Sequence, residues 1–525
     1  MLFLLAALLL GFWSNIGAVP LFDLDEGAFG EATVEMLDSG DYLSTTLNGE
    51  PRYDKPILIY WLQAAAVKVF GKSEFAFRLP SALCASAWLF AVYGFTWRFT
   101  RERRAALLAA GSLGLSLMAQ VIGHAAIADA LLNLLLALTL LDIYRHSEAP
   151  SQGKLLRIYL WIGLGFLTKG PVAVLLPLLI SLIFYAWQRR PLQWFKAVFN
   201  PLGWLVFAAV VLPWSYALYR QDHGVFFHHF LFDHNLSRYR TTLQGHGGKP
   251  WYYLVWLPLI VMPFTALLPA ALRRARQPDP LDGFLLLWFI VVFMFFSFSG
   301  TQLPHYLLYG CTPLFILFGR SWRAAPARGW ILLPALLLVA VLGALPWILP
   351  RIPIPEQRVY EAGIVALAAR SFAWTYYALA AAALLGLLVL LFRRGIEPWR
   401  AVLGAGLMLS VLVWFGVVPV LAAAQQEPVR QAALRAKALN LPVVSYHTFL
   451  PSFSIYRGAV TPTRLPEPNE LVFVRLDHLA DLQTDLGLRV VLVPEFRRGG
   501  VALLLRPTAP TSTPPPPPLR TGGGA

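Results

Sequence analysis

Two carboxylates, Asp25 and Glu26, stand side by side in FDLDEGAFGEATVEML. The apolar spacing of Phe29, Val34 and Leu37 predicts a helix that begins near Asp25. Acids at a helix start ordinarily satisfy free N–H groups and complement the helix dipole. The chemical alternative is a carboxylate that is partly desolvated at a membrane boundary and so becomes a better base. Glu31 and Glu35, four residues apart, read as a solvated stripe. Asp54-Lys55-Pro56 precedes a second short amphipathic helix, proline being a routine first-turn residue. Either Asp54 caps that helix while Lys55 snorkels, or Lys55 binds a lipid phosphate with Asp54 beside it as a metal ligand or orienting group. Asp129, in HAAIADALLNLL, sits at the end of a hydrophobic stretch, and Lys169 lies between two others. Ionisable groups in such places are functional candidates by default. His234 in FDHNLSRY has carboxylate and amide neighbours. The nearby His228-His229 do not form a zinc spacing such as H-E-x-x-H, and a solvated loop histidine is the competing reading. Thr301-Gln302-Leu303-Pro304-His305-Tyr306 opens a late span, where Tyr306 serves as an interfacial belt residue or as a hydrogen-bond donor to phosphate.

The elements that must position these groups are membrane helices. Of 525 residues, 57% are hydrophobic and 14% charged, and the mean hydropathy is +0.59. That composition excludes a disordered chain and argues against a soluble globular enzyme, which carries about 25% charged residues. A span needs roughly 20 apolar residues. By length, about thirteen stretches qualify: 1–20, 79–97, 105–122, 127–144, 155–168, 171–187, 200–219, 252–272, 280–297, 304–319, 329–350, 371–392 and 401–423. The first reads as an uncleaved span, for it lacks a basic leader and a small-x-small cleavage site. Segment 56–70 is short and amphipathic and reads as a helix lying in the interface.

With the N-terminus cytoplasmic, loops 98–104, 145–157, 188–196, 273–279, 320–328 and 393–400 hold 19 Lys and Arg in 53 residues. The opposite side holds 13 in much longer loops before the C-terminal segment. Short loops dense in basic residues stay inside. The net charge of +15 is therefore explained by topology rather than by nucleic acid. Three long segments fall outside: an acidic loop 21–78, a histidine-rich loop 220–250, and a region beyond 424. In that last region a helical pattern at 427–439 precedes β-rich runs at 441–446, 470–475, 489–494 and 501–505. The expected organisation is a membrane domain 1–423, a small α/β domain 424–506 outside the membrane, and a disordered Pro/Gly/Thr-rich tail 507–525. Cys84 and Cys311, both in apolar runs, are too few for a disulfide framework.

The chain has no P-loop, no dinucleotide fingerprint and no nucleophile elbow. No nucleotide cofactor is indicated, so an enzyme acting on the outer face would need a donor already carried by lipid. Several segments resemble, in order, the polytopic C-type glycosyltransferases: LDEGAFGEATVEMLDSGDYLSTTLNGEPRYDKPILIYWLQ, EFAFRLPSAL, IADALLNLLLAL, FLTKGPVAVLLPL, DHNLSRY and LPHYLLYGCTP. The pattern is most similar to the 4-amino-4-deoxy-L-arabinose lipid A transferase family, within a wider group that includes the dolichyl-phosphate-mannose protein mannosyltransferases. The resemblance implies a mainly α polytopic fold and a polyprenyl-phosphate-linked sugar donor. It also implies a lipid or protein acceptor on the periplasmic side of a bacterial inner membrane. By that likeness Asp25, with Glu26 and Asp129, lies at the reaction centre. Lys55, Arg238, Tyr306 and Lys169 would hold the donor phosphate. Asp54 and His234 resemble a metal-coordinating pair, which admits a divalent cation, zinc or magnesium.

Four positions depart from the family pattern. Ala28-Phe29 stands where Arg-Tyr is common, Gln302 where a basic residue is common, and Asp54 where Glu is common. These losses of charge weigh against an aminoarabinose donor or a lipid A acceptor. The expected reaction is inverting glycosyl transfer to lipid A or another glycolipid, with protein O-mannosylation as the enzymatic alternative. A lipid-linked sugar transporter or flippase is the alternative of another class. Such a transporter would show repeats and broken mid-membrane helices carrying ionisable groups, whereas most polar features here gather on one face.

Overall fold

The computed structural model describes residues 2–236, 248–276, 279–487 and 490–508, with no side chains for 235–236. Its architecture is a helical membrane bundle followed by a small mixed sheet, so the chain is an integral membrane protein. Among the described residues six helices are long and apolar enough to cross a bilayer, or eight if two bent pairs each count as one crossing. The count falls below the expected thirteen for physical reasons. Leu2–Trp13 and Val172–Trp187 are apolar but short. The stretch 304–319 is divided into a 3-10 turn, Pro304–Gly310, and a ten-residue helix, Cys311–Arg320. Asp129–Glu148 and Gln152–Lys169 carry charged residues along their length and are partly buried inside the bundle.

The breaks place backbone at the end of the bundle where the acidic loop emerges. Arg103–Leu115 and Leu117–His124 bend by 61° at Ser116, so that the chain turns at Ala125 and starts a new helix at Asp129. Gln152–Lys169 stops at Gly170, whose φ of 72° favours glycine and where a Cβ would lie 2.3 Å from the Phe230 ring. Lys169 is thereby held at a helix terminus against the segment that carries His234. Asp25–Ser39 forms a helix as expected and ends at Gly40 in the left-handed conformation. The helix Leu58–Phe70 follows Asp54-Lys55-Pro56.

Beyond Gln425 the helix Glu427–Leu439 packs on a four-stranded sheet. Val443–Tyr446 pairs in parallel with Glu470–Arg475, which is antiparallel to Val501–Arg506, and Val493–Arg498 completes the edge. Leu471 and Phe473 face one apolar cluster while Val472 and Val474 face another, the period-2 alternation of a sheet covered on both sides. The third strand is 493–498 rather than the expected 489–494. Gly499-Gly500 forms the tight turn, and pairing of Arg498 with Val501 sets the register immediately before it. Most of the expected tail, and Arg238, lie outside the described residues.

This domain grips the acidic loop. The Ser452 backbone N–H donates to Asp23 Oδ1 at 2.9 Å, and the Ser452 hydroxyl donates to Asp23 Oδ2. Tyr456 accepts from the Leu21 N–H at 2.8 Å, and Thr461 N–H donates to Asn48 Oδ1 at 3.0 Å. Glu31 is buried beside Ser454, so the pair Glu31 and Glu35 is not the solvated stripe expected; one Glu31 oxygen has no hydrogen-bond donor. Burial pushes the Asp23 carboxyl up to about 7, against the Ser452 hydrogen bonds, and pushes Glu31 up to about 8. Raised carboxyl pKa values mean that the docked state binds more protons, so docking weakens as pH rises from near 4 and is weakest above about 8. Limited proteolysis of the 424–506 region is therefore expected to be faster at pH 9 than at pH 6. The double variant Asp23→Asn, Glu31→Gln should flatten that dependence.

Candidate active site

Glu26, not Asp25, carries the structural load of the acidic pair. Leu24 is the N-cap and makes no side-chain capping bond. Glu26 accepts from Arg78 Nη2 at 2.7 Å and Nε at 2.8 Å, and from the backbone N–H groups of Phe22 and Ala126, each at 2.8 Å. Arg78 also donates to the carbonyls of Ile16, Val19 and Pro20. Every donor in this buried ion pair has an acceptor. Asp25 is left exposed at the wall of a cavity of about 460 Å³, together with Asp23, His305 and Pro304.

Asp54 lies between two cations. Arg52 Nε reaches Asp54 Oδ1 at 2.6 Å, and Lys55 Nζ reaches Oδ2 at 3.3 Å and the Asp54 carbonyl at 3.0 Å. Arg52 also donates to the Ala28 carbonyl, and its guanidinium sits 4.9 Å from the Phe29 ring centroid. Ala28-Phe29 therefore receive a cation from elsewhere in the loop, where the family pattern places one in the helix itself.

Asp129 and Lys169 find each other. Lys169 Nζ is 2.7 Å from Asp129 Oδ1 and 2.8 Å from the Tyr309 hydroxyl, which donates to the same carboxylate. His305 Nε2 is 3.7 Å from that oxygen, and Lys169 Nζ lies 4.9 Å from the Tyr306 ring centroid. Asp25 acts electrostatically on Arg52, Lys169 and His305, and Lys55 acts on His305. Residues from four separate connections thus share one electrostatic neighbourhood.

A second cavity, of about 730 Å³, is lined by Asp54, Lys55, Lys169, His234, Tyr306 and Tyr309, with an apolar wall that includes Leu175, Phe230 and Phe295. The turn Pro304–Gly310 is the partition. Pro304 and His305 line the cavity of Asp25, whereas Tyr306 and Tyr309 line that of Lys55. Three residues per turn put Tyr306 and Tyr309 on one face. Sequence reasoning passed over Arg52, Arg78, His305 and Tyr309. The Tyr306/Tyr309 spacing and the Arg52-x-Asp54 spacing were usable signals, while Arg78 gave none, since its partner Glu26 is 52 residues away along the chain.

The residues present do not fit a divalent cation at Asp54 and His234. His234 shares the cavity, but both Asp54 oxygens are held by Arg52 and Lys55, which a cation would have to displace. Among the described residues, ligand atoms converge within 4.8 Å at His228, His229 and Asp233 instead.

Residues 54–216 match the dolichyl-phosphate-mannose-protein mannosyltransferase family. The chain is similar to undecaprenyl phosphate-alpha-4-amino-4-deoxy-L-arabinose arabinosyl transferases. It is 29% identical to that of Shewanella sediminis over 58% of this chain and 56% of the relative. For Pseudomonas paraeruginosa the values are 30%, 65% and 64%. The chain thus spans less than two thirds of the length of the curated relatives it matches. The solved structure of ArnT from Cupriavidus metallidurans bound to undecaprenyl phosphate aligns with a TM-score of 0.81 at 20% identity, over 96% of this chain and 97% of that one. Its apo form aligns with a TM-score of 0.78. The fold is therefore shared with that structure over nearly the whole chain, and the sequence is similar to protein mannosyltransferases over residues 54–216 and to aminoarabinose transferases over more than half of its length.

Proposed function

We propose that the protein transfers a sugar from a polyprenyl-phosphate donor to a lipid acceptor, with inversion, at the periplasmic face of a bacterial inner membrane. The observation that carries this reading is the pair of cavities on either side of one cluster of charges. The larger suits the donor. Its phenylalanine and leucine wall suits an isoprenoid chain, and Lys55, Lys169 and Tyr306 stand where the phosphate would lie. Arg52 and Lys55 both pair with the carboxylate of Asp54, which holds Lys55 at that wall. The relative solved with undecaprenyl phosphate supports the same donor class.

The smaller cavity suits the acceptor. Its hydroxyl oxygen attacks the anomeric carbon, the bond from that carbon to the phosphate oxygen breaks, and its electron pair leaves on the polyprenyl phosphate. Asp25 takes the hydroxyl proton, Lys55 and Tyr306 stabilise the leaving charge, and Asp129 holds Lys169 in place. Where the acceptor group is itself a phosphate, Asp25 only positions it. The acceptor wall contains Arg78, but Glu26 neutralises it. This favours an acceptor less anionic at the reacting end than one gripped by basic residues.

Three outcomes are expected in membranes supplied with a polyprenyl-linked sugar. Asp25→Asn and Lys55→Ala should each lower turnover by about 10²-fold or more. Wild-type turnover in the Asp25 variant would remove it from the chemistry. His305→Ala should lower turnover and alter its pH profile, whereas substitution at the neighbouring partition residue Leu307, whose side chain is buried away from both cavities, should affect stability only. Glu26→Gln should act mainly on folding, since leaving one partner of a buried pair uncompensated costs about 3–5 kcal/mol, read as a lowered unfolding midpoint in detergent. Mass spectrometry of lipid A, glycolipid and protein fractions from a deletion strain identifies the acceptor. Glycosylated protein alone would point to protein O-mannosylation, and movement of labelled donor without product would point to transport.

A further inference from the structure

The opposite end of the bundle holds a cavity that glycosyl transfer does not use. The helix Glu74–Thr100 begins beside the acidic loop, where Glu74 accepts from Tyr456 at 3.1 Å, and runs for about 40 Å to Thr100. Thr100 lines a cavity of about 560 Å³. Four arginines from three elements line it: Arg273 and Arg274 at the end of Leu268–Ala275, Arg320 at the end of Cys311–Arg320, and Arg323 in Trp322–Ala324. Glu102 is the only carboxylate among its described lining residues.

The charges do not cancel. Arg320 is buried and pairs with Asp279 at 2.6 Å and with Asp282. Arg274 Nε is 2.9 Å from Asp282 Oδ2, yet neither atom has a hydrogen bond of acceptable geometry. Arg323 pairs with Glu102 at 3.1 Å. Arg273 pairs with no carboxylate among the described residues; its Nε donates only to the Pro269 carbonyl, at 3.3 Å. Trp322 forms part of the wall, with Arg104 and Arg323 each within about 5 Å of its ring and its indole N–H donating to Glu102 at 2.6 Å. Phe99 adds an apolar surface.

We infer that this cavity binds a phosphate ester anion, with Arg273, Arg274 and Arg323 as its donors. Guanidinium forks match phosphate oxygens geometrically. A basic pocket between helices at the basic end of a membrane protein suits an anionic phospholipid headgroup, and the Trp322 and Phe99 walls suit the glycerol and first acyl carbons below it. The same arginines would also accept a soluble phosphate. The site lies at the far end of the Glu74–Thr100 helix and shares no lining residue with the cavities of Asp25 and Lys55, so it is distinct from the donor phosphate site and does not depend on the function proposed above.

The test uses the full chain in detergent, by native mass spectrometry, with phosphatidylglycerol, phosphatidylethanolamine and inorganic phosphate as probes. Phosphatidylglycerol should bind in preference to phosphatidylethanolamine, and Arg273→Gln with Arg323→Gln should weaken it by about tenfold. Arg273→Lys should retain part of the binding, and Arg394→Gln, at an exposed arginine that does not line the cavity, should retain all of it. Displacement by millimolar inorganic phosphate, lost in the same double variant, would assign the arginines to a soluble phosphate. Equal binding of both lipids and of phosphate by wild type and double variant would overturn the inference, as would an equal loss in Arg394→Gln. An unchanged unfolding midpoint in the single variant Arg273→Gln separates lost binding from lost folding.

Discussion

The Glu26–Arg78 ion pair ties together parts of the chain that are otherwise unrelated. Arg78 belongs to the helix Glu74–Thr100, Glu26 to the acidic loop, and the carbonyls of Ile16, Val19 and Pro20 to the exit from the first apolar segment. Glu26 also holds the Ala126 N–H, three residues before Asp129. A buried ion pair contributes little net stability, yet removing one partner is expensive, so such a pair enforces one arrangement. Here that arrangement presents Asp25 to the cavity and brings the start of the Asp129 helix beside it. The neighbouring acid has its lone pairs occupied by four donors, and this leaves Asp25 accessible for chemistry.

The same division of labour recurs around the cluster. Asp129 restrains Lys169, and Asp54 restrains Lys55 and Arg52 together. Each anchored cation keeps its charge in a partly buried place, where the field it exerts on a neighbouring anion is stronger than in water. Arg52 shows how the chain accommodates its departures from the family pattern. Its guanidinium covers Phe29 and bonds the Ala28 carbonyl, so a cation is present near the helix even though the helix carries none.

The sheet domain is coupled to this cluster through the acidic loop. Ser452 holds Asp23, two residues from Asp25, and Asn48 holds the loop's β-turn to Thr461. Docking involves carboxylates whose burial raises them to about 7 and about 8, so their protonation changes around neutral pH beside the segment that carries Asp25. The expected solvated stripe at Glu31 and Glu35 failed because the sheet domain covers Glu31 at Ser454 while Thr46 and Gly49 of the same loop donate to Glu35. Helical spacing says that the two acids share a face, but it does not say what will cover that face.

From the sequence alone, hydropathy established a membrane bundle, basic loops predicted its orientation, and ordered motifs marked Asp25, Lys55, Asp129, Lys169 and Tyr306 as groups worth watching. Those signals are local, because apolar length, charge density and short spacings are properties of neighbouring residues. Tertiary structure alone decided who pairs with whom. Arg78 lies 52 residues from Glu26, and Lys169 lies 40 from Asp129 and 140 from Tyr309. It also decided that expected spans would be broken, since a bend at Ser116 or a stop at Gly170 gains its value only from the helices packed against it. Partnership across such separations depends on how the helices pack, and no local pattern encodes it.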